Sequence, residues 1–336
     1  MSVFRLRVPV LTVLRTMMLG LTAALLAISL PGGAGQRARA DDAADLRFVA
    51  LGDAPYRLPD DYRRFEVLID RINAVQPAFS VHVGDIKSGS SPCSDDAFAI
   101  IRDYFGRFRQ PLVYTPGDNE WTDCHRDRAG GYDPLERLAR LRQVFFADPT
   151  RSLGAASMPV ETQAAGDAWP EMVENARWTS GTVTFATVHV VGSNNGMERS
   201  VEAMAEYMRR DAANADWIGS TFARAAADNA RAVVILFHAN PMFEVENPWD
   251  YTNAGFKRTL AELARGAADF ARPVLLVHGD FHTFLADRPL RDAQRKLLRN
   301  VWRLEVPGSP DVGAVQVTVR PADARAPFSF APMLVD

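Results

Sequence analysis

Cysteine is scarce in this sequence. Cys93 and Cys124 are the only two in 336 residues. No Cys-x-x-Cys pattern is present, so a zinc site built on thiolates alone is excluded. Basic residues do not predominate either: 38 Lys and Arg stand against 41 Asp and Glu, a formal charge of −3. A general nucleic-acid binder needs a basic footprint that this chain lacks. There is no internal repeat, and no linker rich enough to split the chain. The longest apolar stretch, from Met17 to Leu30, is short for a membrane span.

That stretch has another reading. Arg5, Arg7 and Arg15 precede it, Pro31-Gly-Gly follows, and Ala38-Arg-Ala40 fits a small-x-small cleavage point. Residues 1–40 therefore read as a secretory signal peptide, with an uncleaved membrane anchor as the alternative. Cleavage removes five arginines and no acid, leaving 33 bases against 41 acids and a charge of −8. Excess carboxylates suit hard or borderline cations. The expected location is periplasmic or secreted, where Cys93 and Cys124 pair as a disulfide rather than remain two buried thiols.

At 47% hydrophobic and 24% charged, the remainder is ordinary globular composition, enough for a large core. Apolar spacing predicts helices over 60–75, 94–108, 133–146 and 251–265. A longer helical stretch over 198–229 is expected to break near 211–216. Residues 147–180 lose regularity and read as a surface insertion over the site. A buried strand is expected over 181–191, and the tail, over 301–306, 314–319 and 328–334, as short strands of a second sheet or an antiparallel continuation. Alternating strand and helix implies a parallel, helix-covered α/β architecture.

Five strands run into turns carrying ligand-type side chains. They are Phe48–Asp53, Val81–Asp85, Val113–Glu120, Val233–His238 and Val274–His282. In four of them a Gly sits just before the ligand-type residue. Parallel sheets gather the carboxyl ends of their strands along one edge, so distant side chains can meet there. Asp and His at rigid strand ends suit a pair of divalent ions, with Zn, Fe or Mn favoured over Ca.

The order Asp53-Ala-Pro55, Gly84-Asp85, Gly117-Asp118-Asn119-Glu120, His238, Gly279-Asp280-Phe281-His282 resembles the calcineurin-like metallophosphoesterases. Their pattern is Asp-x-His, Gly-Asp, Gly-Asn-His-Asp/Glu, His, Gly-His-x-His. The match spans about residues 46 to 285. Intervals of 32 and 33 residues from Asp53 to Asp85 to Asp118 each fit one strand-helix-strand unit.

The resemblance implies one metallophosphoesterase domain over 45–336, a four-layer αββα sandwich holding two divalent ions. Asp85 would bridge them, Asp53 and His282 would hold one, and Asp118, His238 and Asp280 the other. It implies hydrolysis of a small phosphoester, with a metal-bound hydroxide attacking phosphorus in line. Three positions depart from the pattern: Pro55 and Asn119 stand where the family has histidines, and Asp280 replaces a third. Pro55 cannot ligate, so water, Tyr56 or His125 would fill that place. Asn119 can donate a hydrogen bond but cannot do acid chemistry, which leaves His125 as substitute acid or as a solvated loop histidine. His278 is either an orienting partner of Asp280 or His282 or a packed strand-end residue. A protein that binds metal or ligand on the same fold with little turnover is the alternative. Nothing in the sequence sets an oligomeric state.

Overall fold

The structure is a computed structural model and describes residues 44–241, 243 and 251–336. Residues 1–40, expected to be a signal peptide, and residues 242 and 244–250 lie outside the described residues. Two sheets face each other. The first has the order β12-β11-β1-β2-β3, built from β1 (Leu46–Leu51), β2 (Ser80–His82), β3 (Leu112–Tyr114), β11 (Val312–Val319) and β12 (Phe328–Val335). The second runs β4-β5-β6-β7-β8-β10-β9. Its strands are β4 (Glu161–Thr162), β5 (Ala176–Ser180), β6 (Val183–Thr187), β7 (Ala232–Leu236), β8 (Val274–His278), β9 (Leu285–Asp287) and β10 (Val301–Glu305).

Strands β1, β2 and β3 are parallel to one another, as are β6, β7, β8 and β10. The tail divides between the sheets. β10 pairs parallel with β8, while β11 and β12 extend the first sheet antiparallel beyond β1.

Side-chain alternation assigns the layers. In β1, Phe48 and Ala50 point into the core between the sheets, and Val49 and Leu51 point to the helices. Phe48 and Phe79 meet Phe185 of the second sheet edge-on, with centroids at 5.4 and 5.0 Å. In β7, Val234 and Leu236 face the first sheet, while Val233 and Ile235 face the outer helices. Both faces of each central strand are buried, which is why these segments read as unbroken apolar runs. Helices α1 (Asp60–Val75), α2 (Asp95–Gly106) and α3 (Pro134–Phe145) lie outside the first sheet. Helices α4 (Val201–Ala227) and α5 (Lys257–Phe270) lie outside the second. The result is the four-layer αββα sandwich.

Local signals explain the helix starts. Ser94 accepts from the Ala97 amide at 3.2 Å, Asp133 from the Leu135 amide ahead of Pro134, and Ser200 from the Ala203 amide. The expected break near 211–216 is absent, and α4 is continuous. Its polar residues there are buried contacts: Asn214 donates to the His189 carbonyl at 2.7 Å, and Asp211 pairs with Arg258 at 3.2 Å.

Residues 147–180 do not cover the site. Leu153 bridges to Leu112 at the start of β3, the end away from its ligand turn, and residues 161–180 enter the second sheet. The buried strand expected over 181–191 is present but shorter, as β6, and forms half of a β5–β6 hairpin turning at Gly181. Among the described residues, no helix is long and apolar enough to cross a membrane.

Candidate metal centre

Parallel strands from both sheets end at one place. Asp53 follows β1, Asp85 follows β2, Asp118 follows β3, His238 follows β7, and Asp280 and His282 follow β8. Asp53, Asp85, Asp280 and His282 all adopt left-handed backbone, with φ of 54, 57, 82 and 63°. L-residues rarely take this conformation, so backbone strain is concentrated at this one place. The glycines before the ligands permit close approach. A Cβ on Gly117 would lie 2.1 Å from Asp85 Oδ1, and one on Gly279 2.1 Å from Asp53 Oδ2.

His238 is the hub. Its Nε2 lies 3.0 Å from Asp118 Oδ1, 3.2 Å from Asp85 Oδ1 and 3.8 Å from Asp280 Oδ1. Asp53, Asp85 and His238 form one group of potential metal ligands, and Asp118, His238 and Asp280 a second. Asp53 accepts from the Asp280 amide at 3.2 Å, which joins the two sheets. His282 Nε2 is 3.5 Å from Asp53 Oδ1.

Both imidazoles are set up as ligands. A carbonyl only accepts, so His238 Nδ1–H donates to Val83 O at 3.0 Å and His282 Nδ1–H to Ser309 O at 2.7 Å. In each ring Nε2 is left to bind. Burial pushes Asp53 up to about 8 and Asp280 up to about 6, and raises Asp85 well above the usual carboxylate range. Burial also opposes ionisation of Asp118, but the His238 bond and charge and the Ser193 hydroxyl outweigh it, holding Asp118 at about 2. Burial would lower His238, yet Asp85 and Asp118 raise it well above its ordinary value. Buried carboxylates crowded around one imidazole call for cationic charge. The residues fit a pair of divalent ions.

The neighbouring groups complete the picture. Tyr56 donates its hydroxyl to Asp85 Oδ2 at 2.5 Å, and its ring meets His282 edge-on at 5.3 Å. The Asn119 amide nitrogen donates to the Tyr56 hydroxyl at 2.9 Å and also to Asp85 Oδ2. Glu120 is fully buried and accepts from the Gly117 and Asp85 amides. Buried Lys87 donates to the carbonyls of Asn119 at 2.6 Å and Ser88 at 2.9 Å. Ser193 donates to Asp118 Oδ2 at 2.9 Å, and the Asn240 amide to Asp280 Oδ2 at 3.0 Å.

Lys87, Ser193 and Asn240 went unrecognised in the sequence. The weak signal for Ser193 was its place in Gly192-Ser-Asn-Asn-Gly196 after a strand. Ser193, Asn194 and Asn195 have φ of 53, 52 and 58°, a left-handed turn. Arg210 clamps it, donating to Asn195 Oδ1 at 2.5 Å and to the Asn195 carbonyl at 2.8 Å.

The remaining candidate residues lie outside the ligand cluster. His125 is exposed, donates through Nδ1 to Thr122 O at 2.8 Å, and lines a cleft beside the cluster rather than the cluster itself. His278 is buried, stacks on Phe237 at 5.9 Å and bonds to the Gly279 carbonyl at 2.9 Å. No hydrogen bond links it to Asp280 or His282 among the described residues. His82, in β2, and His189, just beyond β6, are fully buried; His189 Nδ1 is 2.6 Å from Glu174. Cys93 and Cys124 form a disulfide that joins the loops after β2 and β3, and both sulfurs approach the Asn119 carbonyl.

The fold is shared with a solved dimetal phosphatase from Danio rerio, at a TM-score of 0.52 and 10% identity, over 87% of this chain and 99% of that one. Two further solved structures are less similar. GAP50, the anchor in the inner membrane complex of Plasmodium, gives a TM-score of 0.46 at 11% identity over 87% of this chain and 89% of its own. Purple acid phosphatase PPD1 from yellow lupin gives 0.47 at 12% identity, over 84% of this chain and half of its own. No family model and no curated protein sequence matches the chain. The first likeness establishes the metallophosphoesterase sandwich as its fold.

Proposed function

We propose that this chain is an exported phosphoester hydrolase working with two divalent metal ions. The observation that carries the reading is the pair of ligand groups sharing His238 at the strand ends, with the Nδ1 of His238 and of His282 tied to carbonyls. Two divalent ions held there would activate a water and neutralise charge on the phosphoryl oxygens. Asp85, 3.2 Å from the shared His238 Nε2, would bridge the ions, Asp53 and His282 would serve one of them, and Asp118, His238 and Asp280 the other. The Asn119 amide is placed to donate to a phosphoryl oxygen and cannot transfer a proton. His125, on the cleft wall, is the titratable group assigned to the leaving oxygen. Export rests on the 1–40 segment and the disulfide.

The test is elemental analysis of the purified protein, then hydrolysis of an aryl phosphate and a bis-aryl phosphate with added Mn, Zn or Fe. Activity that survives both Asp85→Ala and His238→Ala overturns the reading. Asn119, in the place of an acid, favours a second reading: a metal- or ligand-binding protein with little turnover. Two bound ions without hydrolysis of any phosphoester would select it.

A further inference from the structure

The family pattern carries carboxylates at two of its ligand positions. This chain carries them at four: Asp53, Asp85, Asp118 and Asp280. All four belong to one cluster, three around His238 Nε2 and the fourth bonded to the Asp280 amide. Carboxylates bind metal in their ionised form. Four of them cancel the charge of two divalent ions, where the family pattern leaves two positive charges over.

Among the described residues, the surroundings do not restore that excess. Lys87 is matched by buried Glu120. Arg126 is paired with Asp123 at 2.7 Å, and Arg199 shares its cleft wall with Glu198. A phosphomonoester arrives largely as a dianion and a phosphodiester as a monoanion. The dianion's advantage scales with the net positive charge of the site, which here is close to nil.

We infer that the site takes phosphodiesters in preference to phosphomonoesters. This rests on the hydrolase reading above. Shape agrees with charge. A cleft of about 470 Å³, whose wall includes Ser193 and Asp123, opens beside Asp118 and has room for a second alcohol on phosphorus. Its arginines are already paired with or flanked by acids, so it suits a neutral polar arm better than a second phosphate.

The experiment compares two unreactive ligands on manganese-loaded protein by calorimetry, after elemental analysis has counted the ions. Sulfate is a dianion; dimethyl phosphate is a monoanion. Wild type is expected to bind sulfate no more tightly than dimethyl phosphate. Asp118→Asn and Asp280→His each remove one negative charge. Each should tighten sulfate roughly tenfold and change dimethyl phosphate by less than about threefold. Two variants are used so that one failing to hold its ions leaves the other. Bis-aryl over aryl phosphate kcat/KM should fall in the same variants. Two bound ions with sulfate at least about tenfold tighter than dimethyl phosphate in wild type overturns the inference and leaves the hydrolase reading standing. Protein that takes up no ions overturns both.

Discussion

Gly117 and Asp85 are packed so closely that no side chain fits between them. A Cβ on Gly117 would sit 2.1 Å from Asp85 Oδ1 and 2.5 Å from the Asp85 nitrogen, which belongs to a backbone that cannot swing aside. Gly117→Ala should therefore displace a carboxylate of the first ligand group, one that lies 3.2 Å from His238 Nε2. The expected result is a roughly 10–100-fold loss of manganese affinity, with unfolding free energy lowered by about 1–3 kcal/mol. A chelating-dye competition and urea denaturation measure the two. Tyr56→Phe separates these effects. It removes one of the two donors on Asp85 Oδ2 and leaves the ring on His282, so affinity should fall by roughly tenfold with the fold intact. Unchanged affinity would rule out a role for the hydroxyl. At this scale the sequence was informative where a residue's chemistry and its strand-end position coincided, as at Asp53, Asp85, Asp118, His238, Asp280 and His282. Lys87 and Ser193 were illegible because their partners, the Asn119 carbonyl and Asp118, come from other loops. Tyr56 was legible only as one of several fillers for the gap at Pro55.

Elements matter here mainly as clamps on turns. The left-handed turn at Ser193–Gly196 is an unfavourable backbone state for three non-glycine residues. It persists because Arg210 of α4 is almost wholly buried and binds Asn195, the His189 carbonyl and Glu206 at once. Arg210→Met should cost about 2–4 kcal/mol, since it strands buried acceptors, and should loosen Ser193 from Asp118. Thermal denaturation reports the first effect, and manganese affinity the second. The same network explains why α4 was misread. Asp211 and Asn214 look like helix breakers in isolation, but they are polar contacts on a buried face. The division of the tail between two sheets was equally hidden, because pairing partners far apart in sequence decide it. The disulfide is a second clamp. Its ends lie 31 residues apart, so replacing both cysteines by serine should lower stability by about 4 kcal/mol in the chain-entropy picture.

For the whole molecule, acid sensitivity should come from a site away from the metal ligands. Glu174 is fully buried, which opposes its ionisation, yet the charges of Arg142 and His189 hold it well below the usual carboxylate range. A depressed carboxylate contributes stability above its unfolded pKa of 4.5 and loses it as pH falls further. Denaturation midpoints should therefore hold near neutrality and fall below about pH 4.5, and Glu174→Gln should flatten that fall. The two sheets bring a different consequence. Apart from the end where β1, β2, β3, β7 and β8 terminate, their facing surfaces are joined by dispersion between apolar side chains such as Phe48, Phe79 and Phe185. At that one end carboxyl groups from both sheets crowd around one imidazole, and ions would bind them as a rivet binds two plates. Stripping the ions should free that end first. Amide hydrogen exchange would then quicken at the ligand turns while the opposite rim stays protected, so the molecule would gape like a hinged shell rather than melt as a whole.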